Sequence, residues 1–155
     1  MAGTVEARLK AKGIDLPAAP APAANYVPFV RSGVLLFISG QVPVEGGRLP
    51  YVGVVGKDIS LEQGQAAARL CAINILAQVK AALDGDLDRV KRCVRLGGFV
   101  RSSADFTEQP EVVNGASNLM VEAFGEAGKH ARAAVGTNAL PRGVAVEVDA
   151  VFEVA

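Results

Sequence analysis

The chain has 155 residues, with 16 basic and 16 acidic side chains, no formal net charge, and half of its residues hydrophobic. That composition suits one well-packed domain, which at this length buries roughly 70% of its unfolded surface, and it excludes a disordered chain. No cluster of Lys and Arg runs along the sequence, so the charge that neutralises phosphates in non-specific binding is missing and nucleic acid is not expected as a partner.

Cys71 and Cys93 fall inside an expected helix and strand, where each reads as a small buried hydrophobe rather than half of a disulfide. The N-terminal MAGTVEARLKAKG is too charged for a secretory signal, and the apolar runs are far short of a membrane span. A cytoplasmic protein with no membrane partner is the expectation.

Residues 4–14 predict a short helix capped at Thr4, with Val5, Leu9 and Ile14 as its apolar stripe. The proline- and alanine-rich 16–25 reads as an extended arm, so residues 1–25 are set apart from a domain over 26–155. Strands are predicted over Tyr26–Arg31 and Val34–Ser39, joined by a turn at Ser32-Gly33. The second is apolar on both faces, so both need cover. Residues 39–57 carry five glycines and two prolines and read as loop with at most one short strand.

Ser60 and Gln63 form a capping-box pattern at the start of a long helix whose stripe is Leu61, Ala68, Cys71, Ile75, Val79 and Leu83. Asp84-Gly85-Asp86 ends it. Lys91–Val100 alternates as a strand, with Cys93, Arg95, Gly97 and Phe99 on one face. A helix from Glu108-Gln109-Pro110 to Phe124 follows, exiting at Gly125 and Gly128. The last quarter, His130–Ala155, predicts two strands joined by a short loop. The second places Val144, Val146, Val148, Ala150 and Phe152 against Glu147, Asp149 and Glu153. The order is β-β-(β)-α-β-α-β-β: an α+β single domain, a sheet with two helices on one face. The other face lacks strong charge, so sheet-to-sheet self-association is expected.

Motifs for the commoner chemistries fail. Gly53-Val-Val-Gly56-Lys57 is not a phosphate loop, because Tyr51 and Asp58 stand where glycine and Ser/Thr are needed, and no GxGxxG follows a strand. His130 is the only histidine and has no neighbouring Cys or Asp ligand, so no metal site is expected. Arg132, in an otherwise apolar strand near sheet carboxylates, reads either as a surface residue or as a carboxylate-binding and proton-transfer site. Ser39, before Gly40-Gln41, is either a turn former or part of a ligand wall. Asn114 and Asn118 lie one turn apart on a helix, and Asn118 is either solvated or a required hydrogen-bonding group.

Three segments together resemble the RidA/YjgF family of reactive-intermediate deaminases: Phe37-Ile-Ser-Gly-Gln-Val-Pro43, Asn118-Leu-Met-Val-Glu-Ala-Phe124, and Ala131-Arg-Ala-Ala-Val135 with Ala139-Leu-Pro-Arg-Gly-Val-Ala-Val-Glu-Val148. The resemblance implies a chorismate-mutase-like fold and a homotrimer around a central barrel, with clefts between subunits. It implies hydrolysis of 2-aminoacrylate-type enamines and imines to 2-keto acids and ammonia, without metal or cofactor. In that scheme Arg132 pairs with the substrate carboxylate and Glu147 positions or activates water. Ser39, Gly40, Asn118 and the aromatic position Phe29 line the cleft. The alternative is a non-catalytic, small-carboxylate-binding regulatory trimer. Some members are labelled ribonucleases or translation inhibitors, a reading that the neutral charge balance opposes. The chain departs from the family pattern in having Ala134 where many active members have a cysteine, Phe29 where a tyrosine is common, and a longer N-terminal arm. Four residues are added near Glu111–Asn114 as well.

Overall fold

The computed structural model describes residues 3–21 and 25–155. Three helices and five strands follow in the order α1 (Thr4–Ala11), β1 (Phe29–Ser32), β2 (Leu35–Gln41), α2 (Leu61–Ala82), β3 (Val90–Arg101), α3 (Gln109–Phe124), β4 (Ala131–Thr137) and β5 (Val146–Val154). This is a mixed α+β domain. None of the described helices is long and apolar enough to cross a membrane.

The sheet order is β1-β2-β5-β3-β4. The β1–β2, β2–β5 and β5–β3 pairs are antiparallel, whereas β3 and β4 run parallel, so α3 is the crossover helix that such a pair needs. The final two strands are therefore not neighbours, since β3 lies between them. Their short loop hops over one strand, a long-range arrangement that local pattern does not disclose.

Helices α2 and α3 pack on one face of the sheet, against Leu36, Ile38, Cys93, Leu96, Val100 and the alternate residues Val146–Val154. The α2 start carries the reciprocal Ser60/Gln63 capping box, and beyond its end Asp84 (φ 53°) and Gly85 (φ 89°) turn the chain. One expected facing is corrected. Between Cys93 and Arg95 the β3–β5 register slips by one residue, so Cys93 joins Leu96 and Val100 under the helices while Arg95 faces the other way. The loop 39–57 holds no further strand, only isolated bridges.

The N-terminal helix is capped by Gly3, not Thr4, and the Asp88 carboxylate accepts from the Thr4 and Val5 amides at 2.8 and 2.9 Å. Its stripe Val5, Leu9 and Ile14 is buried in the same core as the sheet, so packing crosses the boundary drawn at residue 25. Residues 22–24 of the expected arm lie outside those described.

The opposite sheet face carries exposed apolar side chains at both edges, with the Arg95–Asp149 ion pair on the strands between them. Val30 and Phe37, paired across β1 and β2, are 53% and 44% exposed, and Val135 is 47% exposed at the other edge of the sheet on β4.

Candidate functional site

Two polar clusters stand out, one on each face of the sheet. The first is at the β4 edge. Arg132 pairs in register with Leu96, a residue under the helices, so its side chain reaches toward α3. There Nη1 donates to Asn114 Oδ1 at 2.8 Å and to Ser117 Oγ at 3.0 Å. Ser117 Oγ also contacts His130 Nε2 at 2.9 Å, and His130 Nδ1 lies 2.6 Å from the Gly128 carbonyl. Among the described residues the ion pairs are Arg69–Glu122, Arg95–Asp149 and Lys129–Glu126, and none involves Arg132. Its guanidinium is thus oriented by neutral groups with its charge uncompensated, which prepares it to take an external carboxylate.

The second cluster surrounds Glu147. Glu147 pairs with Phe99 on the face away from the helices and lines a cavity of about 600 Å³ with Tyr26, Gly40, Gln41, Gln78 and Arg142. Burial, reinforced by the nearby Asp149, raises its pKa above that of an ordinary glutamate, as suits a base working near neutral pH. The Gly40 backbone runs so close to this carboxylate that a Cβ there would overlap Glu147 Oε2. A bulge between Ile38 and Gln41 brings the strand to that position. Ser39 is spent on structure: its hydroxyl donates to the Val27 carbonyl at 2.8 Å and its amide to Pro28 at 2.9 Å.

Two expected residues stand apart from both clusters. Asn118 lines a separate 250 Å³ groove between α2 and α3, with Gln65, Arg69 and Glu122. The asparagine on Arg132 is Asn114, one turn earlier. Phe29 pairs with Ile38 and packs against the core instead of lining the cavity.

Sequence reasoning also missed two carboxamides, Gln78 in the cavity wall and Asn74 one turn before it, which brace the segments around the cavity. Asn74 and Gln78 are buried on α2. Asn74 Nδ2 donates to the Val42 and Val44 carbonyls at 3.0 Å each, and Gln78 Nε2 donates to Pro20 at 2.6 Å, tying both the 42–44 loop and the arm to the helix. The available signal was two amides one turn apart, flanking an apolar stripe. Arg142, at the cavity rim, holds a left-handed φ of 58°, which costs a non-glycine residue about 1 kcal/mol or more.

Both thiols are free and buried, and burial pushes Cys93 up to about 12 and Cys71 well upward, so neither is a ready nucleophile. Among the described residues no three His, Cys, Asp or Glu side chains converge as metal ligands.

Comparison with known proteins gives this geometry a lineage. The YjgF/chorismate-mutase-like family model, whose description also bears an endoribonuclease label, matches residues 6–151. Protein TCP17 of Trypanosoma cruzi is 54% identical over 152 residues, spanning 97% of this chain and 94% of its own length. A solved Agrobacterium tumefaciens protein of unknown function is 53% identical, covers 97% of this chain and 92% of its own, and superposes with a TM-score of 0.91. The 2-iminobutanoate/2-iminopropanoate deaminase of Salmonella typhimurium is 30% identical over 143 residues, 90% of this chain and 95% of its own. The chain belongs to the YjgF/RutC family, also known as RidA.

Proposed function

We propose that the protein is an enamine/imine deaminase that hydrolyses 2-aminoacrylate-type intermediates to 2-keto acids and ammonia, in clefts formed between copies of a homotrimer. The observation that carries this reading is the uncompensated Arg132 guanidinium, held by Asn114 and Ser117 at the open β4 edge. The deaminase name borne by the Salmonella relative supports it.

Arg132 anchors the substrate carboxylate through a charge-assisted, fork-like pair. Glu147 takes a proton from water as it adds to the imine carbon, and its raised pKa suits that task. Because the imine carbon is already electrophilic, orientation and one proton transfer supply most of what catalysis needs. Gly40 lets the substrate approach Glu147 closely, Ser39 fixes that loop, and Asn114 fills the place first assigned to Asn118. Within one chain Arg132 and Glu147 face opposite ways, so a second copy must bring the Glu147 cavity to the Arg132 edge. The exposed Val30 and Phe37 pair, and Val135 at the opposite edge, supply apolar surface for that association.

The test couples the purified protein to a pyridoxal-phosphate serine dehydratase and follows pyruvate. Wild type accelerates pyruvate release from 2-aminoacrylate, and Arg132→Ala removes the acceleration while leaving the oligomer intact. Equal rates for wild type, variant and buffer would reject the activity.

A further inference from the structure

The hydrogen-bond chain behind Arg132 has no role in adding water to an imine. The Gly128 carbonyl can only accept, so His130 Nδ1 carries a proton across their 2.6 Å contact. In neutral His130, Nε2 is then bare and accepts the Ser117 hydroxyl proton across 2.9 Å. Ser117 Oγ meanwhile accepts from Arg132 Nη1 at 3.0 Å. When His130 gains a second proton, Nε2 donates to Ser117 Oγ instead. Both lone pairs of that oxygen are then occupied, one by Arg132 and one by His130, so its own proton is free to be given to a ligand held on Arg132.

An enamine acid has a requirement that an imine lacks: its terminal carbon must gain a proton before water can add. We infer that Ser117 protonates that carbon, and that His130 reloads Ser117 through their shared hydrogen bond. This inference rests on the deaminase reading and on Arg132 as its anchor.

The step balances. Protonated His130 gives its Nε2 proton to Ser117 Oγ as the Ser117 hydroxyl proton moves to the enamine CH2, leaving neutral His130 and a methyl iminium acid. Water adds to the iminium carbon while Glu147 takes one of its protons and passes it to nitrogen. The C–N bond breaks with its electron pair on ammonia, and the remaining hydroxyl proton goes to solvent as the keto group forms. His130 regains one proton from solvent, so the net reaction is enamine acid plus water to 2-keto acid plus ammonia.

The charges around His130 are few. Arg132 on β4 meets it only through Ser117, and Lys129 and Glu126 on the preceding turn pair with each other at 2.9 Å. On α3, Glu122 is engaged with Arg69 at 3.0 Å, and on β3 Arg95 turns to Asp149 on the opposite face.

The experiment compares two sources of one product: 2-aminoacrylate from serine dehydratase, and 2-iminopropanoate from alanine with an amino-acid oxidase. For His130→Gln and for Ser117→Ala, the ratio of enamine to imine acceleration should fall on the order of a hundredfold, the scale of one general acid. Pyruvate binding by His130→Gln should stay at the wild-type level. Two variants at different points of the chain, with pyruvate binding as the check on folding, keep the test decisive where one of them fails to fold. An unchanged ratio, with both rates dropping together, would make the chain a mere brace for Arg132 and overturn the inference. That outcome would leave the parent reading standing, whereas wild type that accelerates neither source would overturn the parent reading with it.

Discussion

Arg132 and Glu147 stand on opposite faces of one sheet, with β3 between their strands. Arg132 is in register with the buried Leu96, Glu147 with Phe99 on the open side. The carboxylate anchor and the base of the proposed reaction thus cannot serve one substrate inside a single chain, and two copies are needed to bring them together.

Arg132→Lys is expected to behave almost as badly as Arg132→Ala. The ammonium keeps the charge but loses the planar fork that reaches Asn114 and Ser117 while facing a ligand. Losing a charge-assisted contact worth about 1.5–3 kcal/mol weakens pyruvate binding roughly 10- to 100-fold, measurable by titration calorimetry.

Glu147→Gln should abolish turnover yet stabilise the fold at neutral pH. Burial, then Asp149, raises the folded-state pKa above the unfolded value. The contribution of Glu147 is therefore fully present below the unfolded pKa and is lost as pH rises through the folded one. The variant's gain in melting temperature should be clear near pH 7 and vanish below about pH 4. In wild type, kcat/KM should fall on the acid side through a group titrating above an ordinary glutamate.

Gly40→Ala is expected to cut activity more than stability. The added methyl meets the end of the Glu147 side chain, which can swing away at little cost to folding but then leaves its catalytic position. Gly115→Ala should do the reverse, since its methyl would strike the Gln65 backbone where α3 crosses α2. Melting curves beside turnover rates separate the two.

Leu9→Ala tests whether the N-terminal helix belongs to the domain. Leu9 is buried in the common core, so truncation should cost about 2–4 kcal/mol in urea unfolding, as for an ordinary core leucine. A cost near zero would make the helix a dispensable appendage.

What could be read in the sequence was local. The capping box at Ser60, the proline start of α3, the alternation of β5 and the apolar stripe of α1 each depend on neighbours a few residues apart, and each is found in the structure. The insertion of β5 between β2 and β3 depends on long-range pairing and left no local mark. The parity of Cys93 failed for a related reason, because one extra residue at Val94 reverses its facing relative to Arg95 and the strand beyond. At the candidate site, the asparagine on Arg132 is Asn114, one helical turn before the expected Asn118. Asn114 and Asn118 share nearly the same helix azimuth, and only the position of β4 along α3 selects Asn114. Ser117 and His130 are separated by 13 residues, and nothing in their spacing announces a contact made by the exit turn of α3.

The most direct measurement mixes two inactive proteins. Arg132→Ala and Glu147→Gln are unfolded together in equal amounts, refolded and assayed for pyruvate release from 2-aminoacrylate. If each cleft joins Arg132 of one copy to Glu147 of the next, random assembly restores about one cleft in four and about a quarter of wild-type activity returns. Mixed oligomers that form yet stay as inactive as their parents would contradict the composite cleft.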